Sequence, residues 1–168
     1  MALRLLTSCL LVLVACNKPS PPGAAPPPTA EALEECTLAT PLKEGVPGSP
    51  GHLIPSERNP NGASELATLM RTMVADLEEA KAALEKNQPL KPLWARHRKM
   101  RCAWPTDLAD RNESFDQMAQ AYLAQVKALD EKPADVRLAF SGVVAACQAC
   151  HENTCPGPIA VIDTLKLQ

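Results

Sequence analysis

Cys147, Gln148, Ala149, Cys150 and His151 place two thiols three residues apart, with an imidazole directly after the second. That spacing suits one specific chemistry. Two thioether bonds from the cysteines can hold a porphyrin while the imidazole takes one axial position on its iron, which is the Cys-x-x-Cys-His attachment pattern of a c-type haem. A helix serves it well, because residues three and four apart share a face and can address one flat macrocycle. Other chemistries use the same residue types. A redox-active dithiol of the thioredoxin kind goes with a βαβ pattern, and no strand alternation is visible around this pair. A tetrahedral zinc site needs a second ligand pair of comparable spacing, whereas Cys155 offers one further thiol. Cysteines are also common simply as small core residues.

The motif continues the apolar stripe of the helix that must position it. That helix is predicted to begin with Pro133 in its first turn and to align Val136, Phe140, Val143, Val144, Cys147 and His151, with Asn153, Pro156, Gly157 and Pro158 stopping it. Three helices are predicted upstream. The first spans about 63–87, with Leu66, Leu69, Met70, Met73, Val74, Leu77, Ala80 and Leu84 at a period near 3.6. The second is shorter and carries Leu93, Trp94, His97 and Arg101 before Pro105. The third spans about 112–131, with Phe115, Met118, Ala119, Tyr122, Leu123, Val126 and Leu129 on its inner face and Asp110 or Asn112 as its cap. The stretch 40–61, dense in Pro and Gly, reads as loop and contains His52 as an exposed side chain, while 30–36 could form a short helical turn. The expected fold is therefore all-α, a four-helix bundle with the haem motif on its last helix.

The N-terminal end indicates the compartment. Arg4 precedes an apolar run from Leu5 to Val14 that is too short to span a bilayer and reads as an export signal. Leu13-Val14-Ala15-Cys16 resembles the lipobox of bacterial lipoproteins, in which the cysteine is lipidated and becomes the new N-terminus. On that resemblance Cys16 is a lipid anchor to the membrane, the protein faces the periplasm, and Asn17 favours the outer membrane of a Gram-negative cell. The Pro-rich tract that follows reads as an extended spacer. Three regions are expected: a signal peptide at 1–15, a lipid-anchored Pro-rich linker with an irregular segment at 16–61, and a haem-binding helical domain at 62–168. Export and the haem motif agree, because bacterial c-type haem is attached outside the cytoplasm.

Composition adds exclusions. The formal charge is −2, and no basic patch points to nucleic acid. Aromatic residues make up only 3 %, thin for an unaided core, and a buried haem would supply the missing planar apolar surface. No Ser/His/Asp spacing, phosphate loop or paired acid site stands out, so the chain is not read as an enzyme.

Only 17 residues follow His151 and none is Met, so a sixth iron ligand has to come from upstream. A C-terminal Cys-x-x-Cys-His on the last of four helices resembles the class II cytochromes c, the family of cytochrome c′ and its low-spin Met-ligated relatives. The resemblance covers about 63–151. It implies that the first helix faces the distal side of the haem, where Leu69-Met70-Arg71 looks like the low-spin version. Met70 is the first candidate ligand and Met73 the second, against the plainer use of both as core; Arg71 could reach a haem propionate or stay solvated. His97 is a further candidate, against its use as a core or boundary histidine. After His151 the chain departs from the usual basic residue and reads Glu152-Asn153-Thr154-Cys155-Pro156-Gly157-Pro158, similar to a bacterial cytochrome c′-like group with Cys-Pro-Gly-Pro. The implied function is an electron carrier with one covalent haem c working with redox partner proteins. The alternative from the same family is binding of NO or CO at a five-coordinate haem, and the alternative outside it is a haem-free helical lipoprotein with a structural or partner-binding role. The family also admits a homodimer through the first two helices. Cys36, Cys102 and Cys155 remain, enough for one disulfide and one thiol, with the pairing open.

Overall fold

The computed structural model describes residues 36–57 and 59–168, which fall in one compact unit. The expected signal peptide, the Cys16 anchor and the Pro-rich linker lie outside the described residues, as does all but the last residue of the turn expected at 30–36. The described chain is all-α. Its elements are α1 (Glu65–Glu85), α2 (Trp94–His97), α3 (Glu113–Asp130), α4 (Val136–Thr154) and α5 (Ile159–Thr164), with 3₁₀ turns at Arg98–Cys102 and Leu108–Asp110. Among the described residues the only β pairing is an isolated bridge between Ile54 and Ala63. None of the described helices is long and apolar enough to cross a membrane.

Local chemistry explains each boundary. Ser64 starts α1 by accepting a hydrogen bond from the Ala67 N–H at 3.2 Å, the usual work of an N-cap hydroxyl. Asn112 rather than Asp110 caps α3, accepting from Phe115 N–H at 3.0 Å. The start of α4 differs from expectation. Asp135 is its cap, accepting from Leu138 N–H at 2.9 Å, so Pro133 lies two residues before the cap and not in the first turn. The second helix is also shorter than its stripe implied. After one turn it tightens into the 3₁₀ segment, whose end is pinned by Arg101 donating to both carboxylate oxygens of Asp116 at 2.8 and 3.0 Å and by a disulfide at Cys102. Tied at that end to α3 and to Cys36, the segment has little freedom to keep α spacing. The last element, α5, lies beyond the four expected helices. Pro156 and Pro158 do end α4, but Ile159, Ile162 and Leu165 then repeat at helical spacing, and Ile162 and Leu165 are buried in the core. Lys81 of α1 holds this short helix by donating to the Thr164 carbonyl at 2.8 Å.

The core draws on all these elements: Leu77 from α1, Leu93 and Met100 from the second segment, Val126 from α3, Phe140 and Val143 from α4, and Leu165 after α5. Each such aliphatic or aromatic side chain contributes about 1.5–3 kcal/mol on burial. The irregular segment 36–63 is fastened to this body. The Cys36–Cys102 disulfide closes a separation of 66 residues, which in chain-entropy terms is worth about 4 kcal/mol; it also settles the open cysteine pairing and leaves Cys155 as a free thiol. Arg111 donates to the carbonyls of Thr37 and Thr40 at 2.8 Å, and Trp104 Nε1 donates to the Lys43 carbonyl at 2.6 Å. Gly48 is required where this segment crosses the start of α1: its φ is +91°, and a Cβ there would lie 2.2 Å from the Glu65 nitrogen.

Candidate functional site

The apolar stripe of α4 ends at the predicted motif. Phe140, Val143 and Val144 are buried, Cys147 is half-buried, Cys150 is buried and His151 is half-exposed near the end of the helix. All three motif side chains therefore share the inner side of the last two turns. Both thiols are free.

The helix end is built around His151. Cys155 precedes Pro156 and is extended, with φ −149° and ψ 86°, as the residue before a proline prefers. Its N–H still closes onto the His151 carbonyl at 3.1 Å, while its own carbonyl turns back and accepts from His151 Nδ1 at 2.9 Å. A carbonyl can only accept, so Nδ1 carries a proton, and in the neutral ring the lone pair is then on Nε2. This is the second-sphere arrangement that orients metal-binding histidines. Thr154 Oγ1 and Asn153 Nδ2 donate to the carbonyls of Cys150 and Ala149 at 2.9 and 2.8 Å, satisfying the end of the helix. The site is thus one open imidazole nitrogen beside two thiols that can form covalent bonds.

Behind Cys147 lies a polar chain that sequence reading missed. Tyr122 of α3 lies beside Cys147, its hydroxyl is 2.7 Å from His97 Nδ1 of α2, and His97 Nε2 lies 3.2 Å from the Asp76 carboxylate of α1. Asp76 is also paired with Arg96. His97 is placed for this by Asp130 of α3, whose carboxylate accepts from the Leu93 and Trp94 N–H groups at 2.9 and 2.8 Å. His97 is fully buried and both its nitrogens are engaged, so it has no lone pair for a metal; the core reading of this residue is the one its environment supports. Burial lowers its pKa against the pull of Asp76, raises that of Tyr122 well above its ordinary value, pushes the Cys147 thiol up to about 12 and raises that of Cys150. Neither Tyr122, a core-stripe residue, nor Asp76, one residue from Leu77, carries a motif. A polar tip on an apolar stripe was the one available signal.

The upstream candidates are divided by burial. Met73 lies in the core at 4 % exposure, and Met70 packs half-buried at its edge. Arg71 is exposed on α1 and His52 is exposed in the N-terminal segment. Two surface hollows, about 710 Å³ beside Asp76, Ala80, Pro89 and Arg96, and about 650 Å³ beside Pro133, Leu138 and Ala145, are not lined by Cys147, Cys150 or His151. Among the described residues no group of three or more His, Cys, Asp or Glu side chains is gathered to hold a metal ion by itself. No protein-family model matches the chain, and neither does any curated protein or solved structure.

Proposed function

We propose that this chain is a periplasm-facing, lipid-anchored c-type cytochrome of the class II kind, with its helices arranged as a cytochrome c′-type bundle, and that it carries electrons. The observation that carries the reading is the His151 ring: its Nδ1 is tied to the Cys155 carbonyl, which leaves Nε2 for an axial bond beside two free thiols. Cys147 and Cys150 would hold a haem c through thioethers, and His151 would supply one axial ligand. When bound, the haem would exchange one electron between its ferrous and ferric states. The protein supplies the rest. The hydrogen bond from Nδ1 keeps the ring oriented and its Nε2 basic, and the buried residues beside the motif keep water from the two sulfurs.

Met70 is the better second ligand of the two thioethers. Met73 is committed to core packing, whereas Met70 at the core edge can reorient without opening a cavity. Arg71 beside it would meet a propionate at the solvent edge. Cys16 would tether the domain through its lipid, and the expected partners are redox proteins.

Expression of the full chain with a c-type maturation system, followed by a ferrous spectrum, tests this. A low-spin spectrum with a sharp α band, lost in Met70→Ala, is expected. A high-spin spectrum in the wild type would replace electron transfer by binding of NO or CO, and a haem-free product would leave a structural lipoprotein.

A further inference from the structure

Charge is spread unevenly along the chain. The stretch 86–106 carries Lys86, Lys91, Arg96, Arg98, Lys99 and Arg101 and no Asp or Glu, in a protein whose net charge is −2. Part of this stretch faces the second half of α1 across the larger surface hollow, about 710 Å³, a size within the range of small-molecule sites.

The charges around the hollow do not cancel. Lys86, Lys91, Arg96 and Lys99 line it against Asp76 and Glu79, an excess of two positive charges. Glu79 is paired with Lys91 at 2.5 Å, and Asp76 is taken by Arg96 and, from the interior, by His97. The ion pairs among the described residues leave Lys86 and Lys99 unmatched.

Arg96 gives the site its geometry. Asp76, only 16 % exposed, holds the guanidinium through Nη1. The other N–H groups of that guanidinium meet no acceptor among the described residues. The fork is therefore fixed with a donor edge left over, a shape that suits a carboxylate accepting two N–H bonds. Lys99 follows three residues later, one turn on and on the same side. The remaining unmatched cation lies at the far end. Lys86 is ten residues along the chain from Asp76, about 15 Å of helix rise, a gap that its flexible stem shortens. Between these ends Ala80, Ala83, Pro89 and Pro92 line the hollow with apolar surface.

We propose that this hollow binds an organic diacid: one carboxylate on the Arg96 fork beside Lys99, the other on Lys86, and an apolar body against Ala80, Ala83 and the two prolines. Two carboxylates match the two excess charges, whereas two phosphate esters would bring about twice that charge. The site uses none of Cys147, Cys150 and His151, so chains with and without haem should bind alike.

Calorimetric titration of the full chain with the eight-carbon diacid suberate tests this, with octanoate, succinate and inorganic phosphate as comparisons. Suberate should bind saturably, one per chain. Octanoate lacks the second acid and succinate is too short to span the ends, so both should bind about tenfold more weakly, the usual size of one lost charge-assisted hydrogen bond. Lys86→Gln changes an exposed side chain that makes no ion pair; it should bring suberate down to the affinity of octanoate and leave octanoate unchanged. Arg96→Lys keeps the charge but loses the fork, and should weaken both acids. Succinate or phosphate binding as tightly as suberate would reveal only a general attraction of anions to a basic surface and overturns the proposal. Absence of suberate binding, or equal suberate affinity in Lys86→Gln, overturns it as well.

Discussion

His97 and His151 lie on neighbouring parts of the same helical body and have opposite relations to their surroundings. His97 is sealed, with Tyr122 on one nitrogen and Asp76 on the other. His151 is half-exposed and has one nitrogen held by a backbone carbonyl. The difference teaches that a histidine is available to a metal according to its unspent nitrogens, and not according to how apolar its neighbourhood is. The same division separates Met73, buried in the core, from Met70 at its edge. The sealed centre holds the fold together, and the open end of α4 is where we propose that the haem binds.

The sharpest way to break that division is at the open end. Replacing Cys147 and Cys150 together by Ala should abolish covalent haem, read by haem staining after denaturing electrophoresis, while Cys155→Ser keeps it. Equal retention by both variants would remove the open end from the account. Next in size is the histidine pair. His97→Ala leaves a cavity and strips partners from a buried tyrosine and a carboxylate, so it should cost about 3 kcal/mol in urea unfolding of the haem-free chain. His151→Ala should cost less than about 1 kcal/mol there. Similar costs for the two would end the contrast.

The methionines sharpen it further. Met73→Ala should cost about 2–4 kcal/mol as a buried large-to-small change, and Met70→Ala roughly half of that or less. In the holoprotein the order should reverse: Met70→Ala changes the spin state, and Met73→Leu does not.

The smallest effect is in pH. His97 has a folded pKa below its ordinary 6.5 because of burial. The unfolded chain therefore binds the proton more readily, so stability from this group is complete above pH 6.5 and falls as pH drops through that value towards the lowered one. Asp116, held down chiefly by its hydrogen bond from Arg101, contributes above its ordinary 3.8 and loses that contribution as pH falls through its lower folded value. Urea unfolding between pH 7.5 and 5 should show a decline in the wild type that His97→Gln flattens. A decline of the same size in that variant would show that another group is responsible.

Much of this organisation was legible in the chain. Leu69, Met73, Leu77 and Leu84 repeat at helical spacing in α1, and Phe115, Tyr122, Val126 and Leu129 do so in α3, because long amphipathic helices write their buried face into the sequence. Boundaries set by competition were harder to read. Pro133 looked like a first-turn proline, but Asp135 offers the better cap two residues later; Pro156 and Pro158 read as an ending, yet six residues beyond them form α5. The second segment carried a helical stripe and nevertheless tightened, since Cys102 and Arg101 are tied to distant partners.

By itself the sequence determined the helical class, the placing of Cys147, Cys150 and His151 on one helical face, and the number of cysteines left over. These are local properties, set by spacing along one chain segment. Only the tertiary structure decided that Cys36 pairs with Cys102, that His151 keeps a free nitrogen, and that Asp76 and Tyr122 close on the two nitrogens of His97. Those facts depend on side chains from four helices meeting in a small volume, and nothing in the spacing of any one helix records which polar tips will meet there.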